Sequence, residues 1–254
     1  KARLAAAPGK QAPAAVRIFL KFWGPQDKPS LLAGPSAILK AGRSKSLTWV
    51  VPKTGGSPLF EIGVEVSSPN RRRVSGTVFL DYLTWSGEPR TTLGRPKGDL
   101  TGRMWREAWV NAADEHRRPH DPKEAYGLAH RAGLGMILTG TRDWADYWVS
   151  VPMRPHLARE CGVAVRVQGL KRYYALLLGA DGMARLVREL DGRTPLAEAA
   201  FPWSLERRYR LRLEARGSRL RAWIERRQLF AVSDAGSNLS GGGIGLLCGE
   251  GHRH

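Results

Sequence analysis

The chain has 254 residues, 42% of them hydrophobic and 25% charged, a globular composition with length for one large or two modest domains. Lys and Arg number 41 against 23 Asp and Glu, and the formal net charge of +18 favours anionic partners: nucleic acid, acidic polymers or lipid headgroups. Two cysteines, Cys161 and Cys248, exclude a disulfide-built scaffold, and no apolar run approaches the roughly 20 residues of a membrane-spanning helix.

Residues 1–15, rich in Ala, Pro and Lys, have no signal-peptide core and read as a disordered tail. Order is expected from Val16, where Val16, Ile18, Leu20 and Phe22 alternate with Arg17, Phe19 and Lys21. Short runs follow at 37–40, 47–51, 59–66 and 77–85, separated by Gly34-Pro35, Thr54-Gly55-Gly56 and Pro69-Asn70. This spacing predicts a small β-sandwich over 16–90. Residues 86–103 lack periodicity, with 91–103 expected as a linker, and the polar stretch 112–123 reads as an exposed loop.

From Gly135 strands recur, at 136–139, 146–152, 162–168, 172–178, 183–190, 209–215, 219–225, 228–232 and 244–248. Gly179-Ala180-Asp181-Gly182, Asp191-Gly192 and Gly217-Ser218 stand where hairpins need turns. Segment 205–227 is dense in good helix formers. Yet Tyr209, Leu211 and Leu213 alternate with Arg208, Arg210 and Arg212, and Leu220, Ala222 and Ile224 alternate again after Gly217, so a hairpin is expected. The fold class is all-β, two β-sandwich (jelly-roll) domains, the second over 104–254.

SLTWVVP (46–52), TGGSP (54–58), EIGVEV (61–66) and GTVFLDYLTWSGEP (76–89) together resemble a galactose-binding-like jelly roll. In this form it is similar to the accessory domain of some bacterial ADP-ribosylglycohydrolase-family proteins. TGTRDWADYWVSV, CGVAVRVQGLKRYYALLL, LRLEARGSRLRAWIE and LSGGGIGLL resemble the concanavalin-A-like domain that follows it there. That sandwich is similar in turn to laminin-G-like and 3-keto-disaccharide hydrolase folds. The resemblance covers about residues 16–249 and implies an accessory region of a larger hydrolase. The family's all-helical, metal-dependent catalytic domain has no counterpart in these residues. The hydrolase branch carries a carboxylate where this chain reads Tyr173-Tyr174-Ala175-Leu176, so the resemblance implies binding without catalysis. The family's sandwich tends to close with a further strand beyond Gly251, so a truncated C-terminus is expected.

Chemical motifs are sparse. No CxxC or HExxH occurs, and SGGGIG (240–245) leads into a strand run, whereas a phosphate loop needs a helix N-terminus behind it. Cys161 reads as a small buried strand residue despite His156 nearby, and Asp143 and Asp146, on one strand entry, read as turn caps. Trp49, Trp85, Trp105 and Trp109 read as packing residues, and Asn238-Leu239-Ser240 is a glycosylation sequon.

Strand parity is the most informative signal. Val163, Val165 and Val167 share a core face, which turns Ala164, Arg166 and Gln168 the other way. Applied to neighbouring strands, parity lets Trp148, Arg166, Gln168 and Tyr173 line one concave face, where an aromatic ring and planar hydrogen-bonding groups suit a sugar. The expected function is a non-catalytic carbohydrate- or ADP-ribose-recognising module. A glycoside hydrolase is the first alternative. The second is a polyanion or nucleic-acid binder using Arg208, Arg210, Arg212, Arg219 and Arg221, which otherwise form a solvated convex face. No cofactor is implied, a structural calcium ion being left open; the expected compartment is the cytoplasm, and ligand identity and oligomeric state stay open.

Overall fold

The structure, a computed structural model, describes residues 1–9, 12–69, 75–87, 90–99, 101–117, 124–236 and 239–250. The chain divides into two compact units, Lys1–Glu107 and Ala108–His254.

The first unit holds β1 (Ala2–Ala6), β2 (Ala14–Trp23), β3 (Pro29–Leu39), β4 (Ser44–Leu47), β5 (Leu59–Ser67) and β6 (Val78–Leu83). They form two three-stranded antiparallel sheets, β4-β1-β6 and β3-β2-β5. Ala2, Leu4, Ala6, Val16, Ile18, Leu39 and Leu47 make the core, with Trp49, Val64, Val78 and Leu83 packed against it. Burial along β2 alternates as its sequence requires, Ala14, Val16, Ile18 and Leu20 inside.

Three expectations need correction here. The first residues are not a tail: Ala2, Leu4 and Ala6 are buried in alternation, and Ala2 lies opposite both Leu47 and Leu83. Alanine is small enough to fill a central strand while giving little hydrophobic signal. Residues 91–103 are not a free tether. Asp99 is 3% exposed and its Oδ1 accepts the amides of Thr101 and Gly102 at 3.2 and 2.7 Å. Asp27 accepts the amides of Arg103 and Met104 at 2.9 Å, where the short helix α1 (Met104–Glu107) begins, a charge-assisted cap on free helical N–H groups. The third concerns 47–51, where the strand stops at Leu47. Trp49 turns inward over Gly34, where a Cβ would lie 2.7 Å from the indole. Trp105 and Trp109 are buried as expected, but Trp85 is exposed.

The second unit comprises β7 (Val110–Ala112), β8 (Glu115–Arg117), β9 (Gly127–Ala129), β10 (Leu134–Thr139), β11 (Tyr147–Met153), β12 (Glu160–Gly169), β13 (Arg172–Gly179), β14 (Met183–Leu190), β15 (Arg193–Ala200), β16 (Tyr209–Arg216), β17 (Arg219–Ile224), β18 (Arg227–Ser233) and β19 (Gly243–Gly249). A seven-stranded sheet of order β15-β14-β13-β12-β19-β10-β7 packs over a four-stranded sheet, β11-β16-β17-β18, while β8 and β9 pair apart. The 112–123 stretch is therefore partly strand, through Glu115–Arg117; residues 118–123 lie outside the described ones. Segment 205–227 is the hairpin, with Gly217 at φ +52° in its turn.

Both faces of the seven-stranded sheet are buried. Cys161, Val163, Leu176, Leu178 and Leu246 share one face by register, and Tyr174 on that face reaches Asp234 just past β18 in the other sheet. The opposite face gathers Met136, Ala164, Val167, Tyr173, Ala175, Leu177, Val187 and Leu247 into a second apolar cluster. Nearly continuous apolar strands are what such two-sided burial requires. Among the described residues no helix is long and apolar enough to cross a membrane.

Candidate functional site

The site is organised by an irregularity in β12. From Glu160 to Val165 the strand is in register with β13, and then the pairing slips before Gly169; against β19 it slips between Ala164 and Val167. Arg166 occupies this bulge with φ +53°, the left-handed region, which costs a non-glycine residue about 1–2 kcal/mol. Its hydrogen bonds offset that cost. The backbone N–H donates to the Tyr147 hydroxyl at 2.7 Å, and that hydroxyl faces the carbonyls of Gly242 and Gly243 at 2.9 and 2.7 Å. The guanidinium donates to Ala145 O (3.2 Å), Leu239 O (3.0 Å) and Asp146 Oδ1 (3.3 Å). Burial pushes the Tyr147 phenol far above its ordinary range, so it stays a hydroxyl. The glycine run now has its reason: a Cβ on Gly242 would sit 2.4 Å from the Arg166 carbonyl carbon, and Gly242 itself has φ +150°.

A cleft of about 200 Å³ opens beside this bulge, lined by Asp146, Arg166, Tyr174, the β16–β17 turn at Gly217-Ser218, Asp234-Ala235 and Leu239-Ser240. Two carboxylates frame it. Asp146 Oδ1 accepts the Gly217 amide at 2.8 Å as well as Arg166. Asp234 accepts the Tyr174 hydroxyl at 2.9 Å and Arg188 Nη1 at 3.0 and 3.1 Å, with only 11% of its side chain exposed. Ser218 and Ser233 hydroxyls meet at 3.0 Å, and the Asp234 amide donates to Ser218 O at 2.9 Å, so both aspartates hold the same turn, Asp146 by its carboxylate and Asp234 by its backbone. The result is a small cleft whose acceptors and hydroxyls have fixed directions beside the apolar Ala235 and Leu239. It can take hydrogen bonds from a hydroxylated ligand. Each carboxylate accepts from a guanidinium, which fixes the direction of its oxygens toward the cleft.

The four residues expected on one face are not brought together. Arg166 lines the cleft, but the bulge removes it from the Ala164 face and puts Val167 there instead. Gln168 donates from Nε2 to Gly241 O at 2.8 Å and braces the glycine run. Tyr173 is 3% exposed within the second apolar cluster, its phenol pushed up to about 12 chiefly by burial, then by Glu189. Trp148 is on the other sheet altogether, because β11 pairs with β16 and not with β12. Parity states which face a residue occupies and says nothing of which strand lies alongside.

Sequence reasoning missed Tyr174, Arg188, Asp234, Ser218 and Ser240, and favoured a turn cap for Asp146 over an acid–base pair with Asp143. The available signal was Tyr174, a polar-tipped residue of inward parity in a strand of leucines, which requires a partner across the sandwich. Ala175, where the resemblance places the hydrolase carboxylate, is fully buried. Cys161 lies opposite Cys248, and its thiol is pushed up to about 12 by burial first, then by Cys248 and Glu160; His156 pairs instead with Glu206. Among the described residues no group of three or more His, Cys, Asp or Glu is placed to hold a metal ion. Asn238 of the sequon lies outside the described residues.

No protein-family model and no curated protein matches the chain. Among solved structures it is similar to the carbohydrate binding module CBM66 from Bacillus subtilis, 19% identical over 56% of this chain and 88% of that one, with a TM-score of 0.50. Sheep galectin-11 is 9% identical over 47% and 90% of the two chains, TM-score 0.34. Galectin LEC-6 of Caenorhabditis elegans is 9% identical over 57% and 90%, TM-score 0.33. The first likeness is one of fold, a β-sandwich; the two galectins fall too low to argue from.

Proposed function

We propose that the chain is a carbohydrate-binding module whose second unit holds one sugar ring in the cleft between Asp146 and Asp234 without cleaving it. The observation that carries this reading is the fixed set of acceptors there, with Asp234 held by Tyr174 and Arg188 and Asp146 held by Arg166 and Gly217. Vicinal sugar hydroxyls donate to carboxylates of this kind, and pre-set directions reduce the ordering cost of binding. Similarity of fold to a carbohydrate binding module supports the class of ligand. At about 200 Å³ the cleft lies below the roughly 300–1,000 Å³ of drug-sized sites, which suits a chain end over a long oligosaccharide. The two carboxylates oppose a pyrophosphate, and this favours a neutral sugar over ADP-ribose.

The resemblance over residues 16–249 supports a place beside a hydrolase domain, to which such a module would supply substrate proximity. Titration calorimetry against neutral mono- and oligosaccharides, with ADP-ribose as the anionic comparison, tests the reading. A sugar whose binding is lost in Asp234→Asn, with the melting transition retained, supports it. Release of reducing sugar by the purified chain, or a ligand indifferent to both Asp146→Ala and Asp234→Asn, rejects it.

A further inference from the structure

The outer face of the four-stranded sheet has the opposite chemistry. The buried Leu211, Leu213, Leu220 and Ala222 fix parity, so that Trp148, Arg212, Glu214, Arg216, Arg221 and Trp223 point away from the core. Register sets Glu214 between Trp148 and Arg221, and Arg212 between Ser150 and Trp223. The Arg212 guanidinium carbon lies 4.6 Å from the Trp148 ring centroid and 4.8 Å from that of Trp223, sandwiched between indoles. Beneath it the Glu214 carboxylate, 6% exposed, takes Arg212 at 3.1 Å, Arg216 at 3.5 Å and Arg221 at 2.5 Å.

This one buried carboxylate aligns three guanidiniums whose side chains remain 38%, 58% and 46% exposed. Arg210 and Arg219, also exposed, flank them, so the face carries five cations against the buried Glu214 and, at its end, Glu225, whose carboxylate accepts the Arg210 amide at 2.9 Å. Trp148 is 51% exposed with Arg212 against its ring. We propose that this face binds a linear acidic polysaccharide, carboxylated or sulfated, one sugar stacking on Trp148 and its anionic groups pairing with Arg212 and Arg221. Arginine's planar fork matches both carboxylate and sulfate oxygens, and the shared Glu214 spares the ligand the entropy of ordering those side chains. Single-stranded nucleic acid stacks successive bases on successive rings. Here Arg212 lies against both indoles and Trp223 carries Arg221 (5.9 Å) as well, so the half-exposed Trp148 is the ring of this face with area left for a ligand, which favours the glycan. The face shares no lining residue with the cleft, although Arg216 and Arg219 flank the Gly217-Ser218 turn that lines it.

The test is calorimetry and affinity electrophoresis of the full chain with polygalacturonate and chondroitin sulfate, dextran as the neutral polymer and an oligothymidylate as the nucleic acid. Binding to at least one acidic glycan, weakening with salt, is expected, with a loss of tenfold or more in both Trp148→Ala and Arg221→Gln at an unchanged melting temperature. Of the two variants, Arg221→Gln should also flatten the salt dependence. Polygalacturonate and chondroitin sulfate separate the carboxylate from the sulfate ligand. The proposal is overturned if neither is bound at low salt, if both variants bind like the parent, or if oligothymidylate binds as tightly through the same residues.

Discussion

Replacing Tyr147 by Phe removes one oxygen from the point on which the bulge depends. The hydroxyl is the acceptor for the Arg166 amide at 2.7 Å, and it donates its single proton to one of the Gly242 and Gly243 carbonyls. Tyr147 and Arg166 are 5% and 4% exposed, so water does not readily take its place. An orphaned buried N–H costs about 1–3 kcal/mol, and the lost bond to a carbonyl, which retains a second lone pair, adds about 1 kcal/mol. Phenylalanine keeps the ring and its edge contact with Trp144, so little cavity cost is added. The sum is about 2–4 kcal/mol. With a urea slope of about 2 kcal/mol/M, the middle of the usual range, the midpoint should fall by about 1–2 M at an unchanged slope. Sugar binding should weaken in parallel, because Arg166 and the Leu239 carbonyl it holds both line the cleft. A midpoint shift worth less than about 0.5 kcal/mol would refute the assignment of the phenol as the anchor of the bulge.

Gly242→Ala should be at least as damaging, since its Cβ would meet Arg166 backbone 2.4 Å away at a φ of +150°; wild-type stability in a thermal melt would contradict this. Leu4→Ala, at a residue 1% exposed, should destabilise the first unit by about 2–5 kcal/mol, whereas a disordered tail would show no change by hydrogen exchange or melting. The Cys161 thiol, held up to about 12 in the fold against 9.0 for the free group, makes stability depend on alkali. The unfolded chain ionises first, so this contribution is intact below about pH 9 and then falls by about 1.4 kcal/mol per pH unit until the folded value is reached. Urea midpoints at pH 8 and pH 10 should therefore converge in Cys161→Ala relative to the parent, and an identical pH slope in the two proteins would count against it.

How much of this was legible in the sequence differs from element to element. The β16–β17 hairpin was readable because Leu211, Leu213, Leu220 and Ala222 keep a strict period on both sides of Gly217-Ser218, and periodicity outweighs the helical propensity of Arg and Leu. β12 was readable only as far as Val165. A bulge consumes one residue without changing composition, so Val167 continued a valine alternation that the backbone had abandoned. Strand β1 escaped notice because its inward residues are mainly alanine. The cleft escaped for a different reason. Its walls come from β11, β12, β13, the turn after β16, the end of β18 and the run before β19, and their meeting is a matter of sheet order, which local pattern does not encode.

The position of β19 has a consequence for the timing of synthesis. Of the strands described it is made last, yet it lies between β12 and β10, in the middle of the seven-stranded sheet. Until Gly243–Gly249 leaves the ribosome, the sheet exists as two separate pieces, each with an open apolar edge. The wait spans everything from Gly169 to Gly243, several seconds at about 5–20 residues per second. In the four-stranded sheet β16, β17 and β18 are successive hairpin neighbours that pair as they emerge, while β11 waits from Met153 to Tyr209 for β16. The nascent chain should thus expose the paired edges of β12 and β10 to chaperones or to one another's copies, and any lesion that stalls synthesis before Ile244 should yield aggregates and not a smaller folded product.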